Sequence, residues 1–130
     1  MRIIIPSIVF APNSGTWAGL DAETVANNEW ILSRLALTLN QHSVYTVRVE
    51  GHANPTVSPA NAIARAREQN NELQPLSEMR ARTIVNELVK LGISPGRLSS
   101  YGMGGSHPVA AWEDHDNWWK NRRVEFLLRQ

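Results

Sequence analysis

Tyr45-Thr46-Val47-Arg48-Val49-Glu50-Gly51-His52-Ala53-Asn54 alternates apolar and polar side chains up to a glycine. Strict alternation of β-formers predicts a half-buried strand with Tyr45, Val47 and Val49 on one face and Thr46, Arg48 and Glu50 on the other. Gly51 ends the strand, and the polar run His52-Ala53-Asn54 sits just beyond it. Residues 55–75, with Pro55, Pro59 and Pro75, read as a long inserted loop. The good helix formers of residues 60–71 predict a short exposed helix there, anchored at most by Ile63 and Leu73, with Arg65 and Arg67 solvated. Leu76-Ser77-Glu78-Met79-Arg80-Ala81 then opens a long helix, with Ser77 as N-cap and Met79, Ile84, Val85, Leu88 and Leu91 as its buried stripe. Gly92 in a left-handed closing position, Ile93 folding back and Pro95 stop it. A strand end facing a helix start across a loop forms a crevice of polar groups and N–H donors, where small charged ligands bind. Arg80 in a first helical turn opposes the helix dipole unless Glu50, Glu78 or a ligand carboxylate compensates.

The flanking segments extend the same pattern. Residues 3–10 are apolar on both faces and predict a buried strand, interrupted or started by Pro6. Residues 11–20 read as a loop. Asp21 is a good N-cap for a helix whose apolar stripe runs through Val25, Ile31, Leu32, Leu35, Ala36 and Leu39, ending near residues 40–42. Asn28 falls on that stripe and is placed at a helix end or a cleft rim. A short strand over residues 97–101 leads to Gly102-Met103-Gly104-Gly105, a turn needing unusual backbone angles, and a loop through Trp119. In the last strand, residues 122–130, Val124, Phe126 and Leu128 share one face, and Arg123, Glu125 and Arg129 the other. The order β-α-β-(loop)-α-β-β implies an α/β (α+β) fold, a mixed four-stranded sheet with two main helices on one face.

Composition narrows the function. With 130 residues, 42% hydrophobic and 19% charged, the chain has the make-up of one ordinary globular domain, residues 1–130. A net charge of +1 gives no field to favour nucleic acid or an anionic membrane, and no apolar run reaches the length of a membrane span. Without cysteine, disulfides and thiolate chemistry are excluded. No serine stands in a nucleophile elbow, and the glycine run opens no helix, so neither a hydrolase nor a dinucleotide enzyme is indicated. Glu113-Asp114-His115-Asp116, with His107, could hold a cation only if consecutive loop residues all faced one ion, so a solvated turn is the expectation and no metal or cofactor is assigned. Arg122 and Arg123 are neighbours on a strand and face opposite ways, so one can line a cleft while the other is paired elsewhere.

Gly51-His52-Ala53-Asn54, Leu76-Ser77-Glu78-Met79-Arg80-Ala81, Gly92-Ile93, Arg97-Leu98, Gly102-Met103-Gly104, Pro108 and Asn121-Arg122-Arg123-Val124-Glu125 follow one another in a characteristic order. This order resembles the OmpA-like peptidoglycan-binding domains, typified by the C-terminal domain of outer membrane protein A; Phe10 fits the end of that family's first strand. The resemblance implies a periplasmic, non-catalytic domain that holds the cell wall non-covalently. Its partner would be diaminopimelate or another diamino acid of the stem peptide, with an envelope protein as a further partner. In the family an Asp after the strand takes the ligand ammonium and the helix Arg takes its carboxylate in a two-pronged bond. Carried over, the site comprises Asn54, Arg80, Arg122, Arg123, Asn13 and Thr56. This chain has Asn54 where the family has Asp and Ala53 where it has Thr, which implies weakened or altered ligand binding. Glu68 or Glu72 on the long loop could replace the missing acid. The alternative is a fold of this family that has lost the wall ligand and acts as a protein-interaction module through the long loop or Trp112, Trp118 and Trp119.

Overall fold

The computed structural model of the chain describes residues 2–5 and 8–130. Strands β2 (Thr46–Gly51), β3 (Leu98–Gly102) and β4 (Val124–Arg129) form a mixed sheet, β2 running parallel to β3 and antiparallel to β4. A short β1 (Arg2–Ile5) pairs antiparallel along the other side of β4, with Ile3 opposite Phe126. The expected break at Pro6 lies outside the described residues.

The alternation of the sequence becomes the two faces of this sheet. Val47 pairs with Leu128, Val49 with Phe126 and Gly51 with Val124, so the apolar members share one face. Helices α1 (Ala22–Gln41) and α3 (Gln74–Lys90) supply Leu32, Ala36, Leu39, Ala81, Ile84 and Leu88 to the same core, with Ile8, Phe10 and Ile93. Each such aliphatic burial is worth about 1.5–3 kcal/mol against about 1 kcal/mol for a helix cap, and the core sums many of them, so the core and not the local signals sets the register. Asp21 caps α1, accepting from Thr24 N at 2.7 Å. Asn28 is at neither a helix end nor a rim. It is fully buried and pairs with the backbone of Val9, accepting from its N–H and donating to its carbonyl. At the other end of α1, Arg97 donates to the carbonyls of Leu39 and His42 and to that of Tyr45 just before β2, tying the helix end to the start of the strand.

The segment before α3 differs most from the expectation. Residues 55–75 are not a loop in the main: α2 (Ala62–Glu68) passes through a π-helical turn, Gln69–Leu73, straight into α3. Among the described residues there are thus three α-helices. Pro75 has no N–H to donate back to residue 71, and the wider turn, in which Gln74 N–H reaches the Gln69 carbonyl, bypasses the missing bond. Ser77 is therefore not an N-cap. It lies inside α3, buried, donating to the Gln74 carbonyl and accepting from Gly104 N at 2.8 Å. The stripe also shifts: Met79 and Leu91 are exposed, while Ser77, Arg80 and Ala81 face inward with Ile84 and Leu88. Ile63 does not anchor α2, being 72% exposed, whereas Leu73 is buried.

What places α3 is the bare backbone of Gly51. A Cβ there would lie 2.1 Å from the Ser77 carbonyl oxygen, so only glycine lets the helix rest on the strand end. At the far end of α3, Gly92 (φ +97°) and the bond from Ile93 N to the Leu88 carbonyl close the helix.

Candidate functional site

Arg80 projects from α3 into the space beyond the end of β2 and is fully buried, the largest side chain so enclosed. Its Nε donates to the Ser14 carbonyl at 2.9 Å, Nη1 to the His52 carbonyl at 2.9 Å and Nη2 to the Ala11 carbonyl at 3.2 Å. The guanidinium also lies 5.2 Å from the centre of the Phe10 ring. No carboxylate pairs with it among the described residues. A guanidinium has five N–H groups, so one on each terminal nitrogen is left over. Burial, and secondarily the charge of nearby Arg122, lowers Arg80 to about 10, which leaves it cationic at neutral pH.

Arg122 is half-buried and fixed through Nε to the Phe10 carbonyl at 3.2 Å, and burial lowers its pKa as well. Both arginines border a cleft of about 480 Å³. Asn13, Asn54 and Thr56 also line it, with Glu68, Glu72 and Trp118 on the side of the α2 segment and the 3₁₀ turn His115–Asn121. The segment 55–75 walls this cleft and does not fill it. Arg123 is not brought to it. It points away from it, donating to Glu125 and to the His107 carbonyl, because the chain bends at Arg122 (φ −87°, ψ 70°) just before β4 begins.

Two residues at the cleft are held by networks invisible to pattern reading. Asn54 Oδ1 accepts from Asn121 Nδ2 at 2.8 Å, both side chains being buried. Asn121 belongs to the Asn-Arg-Arg-Val-Glu motif, and that asparagine is the sequence signal for this network. Glu68 accepts from the N–H groups of Thr56 and Val57 and from the Thr56 hydroxyl, so its carboxylate staples α2 to the chain after β2. Trp112 donates to the Thr56 carbonyl and Trp118 to the Trp112 carbonyl, so these two tryptophans are tied into the wall while Trp119 is exposed. Asp114 and His115 are engaged locally: Asp114 accepts from Asn117, and the His115 ring lies 4.4 Å from that of Trp118.

The opposite face of the sheet holds a second polar group. Glu50 and Glu125 are directly opposed across β2 and β4 and buried, with His52 beside them. Their ligand atoms lie within 4.8 Å of one another, a spacing that suits a metal ion. Cations are already there: Arg123 donates to Glu125 at 2.7 Å, and Arg48 Nε lies 3.0 Å from Glu50. This is an internal ion-pair cluster, and its acids need no further positive charge. His52 is lowered to about 4, first by burial and then by Arg123, against the opposing pull of Glu125 and Glu50, so it is neutral at pH 7.

Known proteins of similar sequence and shape can be set beside this geometry. Residues 20–122 match the OmpA family. The peptidoglycan-associated lipoprotein of Mesorhizobium japonicum is 34% identical over 103 residues, 79% of this chain and 55% of that protein. The protein of the same name from Pseudomonas putida is 33% identical over 82 residues, 63% of this chain and 48% of that one. The chain thus spans about half the length of these relatives. The periplasmic domain of Helicobacter pylori MotB superposes with a TM-score of 0.74 at 19% identity, covering 99% of this chain and 75% of that one. The peptidoglycan-associated lipoprotein of Burkholderia pseudomallei gives a TM-score of 0.70 at 17% identity, covering 98% and 89%. From the sequence match over residues 20–122, and with the fold of these structures, this chain belongs to the OmpA family.

Proposed function

We propose that the chain is a single OmpA-like unit whose cleft takes a small amino-acid group of the peptidoglycan stem peptide, anchoring the envelope to the cell wall without catalysis. The observation that carries this is Arg80: a buried guanidinium, held by three backbone carbonyls, with one N–H left on each terminal nitrogen. Two such groups suit the two oxygens of a carboxylate, and the low dielectric around them strengthens the pair. Arg122 adds a second cation at the same cleft. Names of relatives point the same way, since they are peptidoglycan-associated lipoproteins.

A periplasmic setting is part of this proposal, since that is where such a ligand lies, and the like fold of a periplasmic MotB domain is in keeping with it. No helix among the described residues is long and apolar enough to cross a membrane. No metal, cofactor or catalytic residue has a part in this reading.

Co-sedimentation with purified, insoluble peptidoglycan tests it. Wild type is expected in the pellet, and Arg122→Ala, which removes a cleft cation without touching the core, is expected to leave most of the protein in the supernatant. Absence of wild type from the pellet would overturn the anchor and favour the interaction module, for which the exposed Trp119 is the remaining support.

A further inference from the structure

The polarity of the cleft at position 54 is set by a residue that does not line it. Asn121 Oδ1 accepts from two backbone donors, Val109 N at 2.8 Å and Ala110 N at 2.9 Å. Turning this amide over would set its NH₂ against two N–H groups, so its orientation is determined. Its Nδ2 must then donate, and it does so to the Ala110 carbonyl and to Asn54 Oδ1. The same logic passes to Asn54. Its oxygen is bound inward, and its Nδ2, without a partner among the described residues, is the polar atom it offers the cleft.

Asn54 therefore presents a donor, not merely a weaker acceptor. An aspartate held by the same Asn121 bond would keep a free oxygen toward the cleft; this amide keeps N–H groups. Arg80 and Arg122 are donors only. Three donors, the Thr56 N–H shared between both oxygens, the Thr56 hydroxyl and the Val57 N–H, hold the Glu68 carboxylate against the chain after β2. The cleft wall made by residues 54, 80 and 122 is thus donor-rich, with the acids Glu68 and Glu72 on the side of the α2 segment.

We infer that the ligand of this cleft carries a neutral acceptor beside its carboxylate, as an acylated diamino acid does, and that a free ammonium at that position is disfavoured. This rests on the proposed stem-peptide site and names its substrate class: the amide carbonyl of an acylated amine faces Asn54 Nδ2, and the carboxylate faces Arg80.

Titration calorimetry with two probes, meso-diaminopimelate and its N,N′-diacetyl derivative, tests the inference. Wild type is expected to bind the diacetyl compound about ten- to a hundred-fold more tightly, the ratio set by leaving a desolvated ammonium without an acceptor at Asn54. Asn54→Asp is expected to reverse the preference. Asn121→Asp, confirmed folded by circular dichroism, removes the inward donor and lets Asn54 turn its oxygen outward, so it should move the preference the same way with residue 54 unchanged. A wild type that prefers the free diamine, or binds neither probe while Asn54→Asp binds the diamine, overturns the inference and leaves the wall-binding site standing. If neither protein binds either probe or sediments with peptidoglycan, the site itself is wrong and both readings fall.

Discussion

Two buried polar groups flank the end of β2, one on each side, and they are built on opposite plans. On the open face of the sheet, Glu50 and Glu125 oppose each other and Arg48 and Arg123 bring the matching charge. Toward the cleft, Arg80 and Arg122 are bonded to backbone carbonyls, which orient a guanidinium without cancelling its charge. The first arrangement consumes its electrostatics internally. The second leaves two guanidinium groups, with no carboxylate bonded to them among the described residues, at one wall of an open cavity of about 480 Å³ and Glu68 and Glu72 at the other, an arrangement that suits a ligand carboxylate at the arginine side. A charge count over the whole chain, +1, sees neither.

The largest test of this contrast is Arg80→Ala. Three carbonyls would lose a charged donor and the loop after residue 10 its anchor, so chemical denaturation should show a loss of about 3–5 kcal/mol. A loss below about 1 kcal/mol would mean that the guanidinium is not what holds these strands together. Gly51→Ala follows, at about 2–3 kcal/mol, because a Cβ at 2.1 Å from the Ser77 carbonyl must push α3 off the sheet. Its sharper readout is the cleft: if α3 moves, binding should weaken more than that of an equally destabilised variant elsewhere in the core.

The open face is tested by pH. His52 stays neutral in the folded protein down to about 4, while in the unfolded chain it takes a proton near 6.5. The unfolded state therefore binds more protons across that window, and stability should fall as pH drops from about 6.5 to about 4. His52→Gln should flatten the melting temperature over this range; an unchanged slope would assign the acid sensitivity to the neighbouring carboxylates. Smallest in stability is Arg122→Ala, expected within about 1 kcal/mol of wild type because the side chain is half-buried and makes a single described hydrogen bond. The same variant should lose wall binding, and that separation of folding from function is what the cleft arrangement demands.

The readable features were those in which neighbours in sequence determine the outcome. Alternation through Val47 and Val49 marked β2, Asp21 the start of α1, and Gly92-Ile93 the end of α3. Ser77 shows how a local rule fails. Serine before an amphipathic stretch is a good cap, yet the chain is already helical there, because a π-turn absorbs Pro75 and joins α2 to α3. Its hydroxyl instead meets Gly104, 27 residues away. Periodicity alone puts Met79 and Leu91 in the core, whereas in the fold Arg80 takes an inward position because the carbonyls of Ala11, Ser14 and His52 accept its N–H groups.

Sequence alone established the family order of motifs, the two long helices and the apolar stripe of the first, the strand that ends at Gly51, and the replacement of an acid by Asn54. Tertiary structure decided which way that amide faces, which arginine of the Arg122-Arg123 pair meets the cleft, and that Glu68 holds the wall together. The division has a physical cause. Periodicity and capping act over a few residues and are written in the chain, whereas a side-chain amide takes its orientation from partners such as Asn121, 67 residues away, that only folding brings within hydrogen-bond reach.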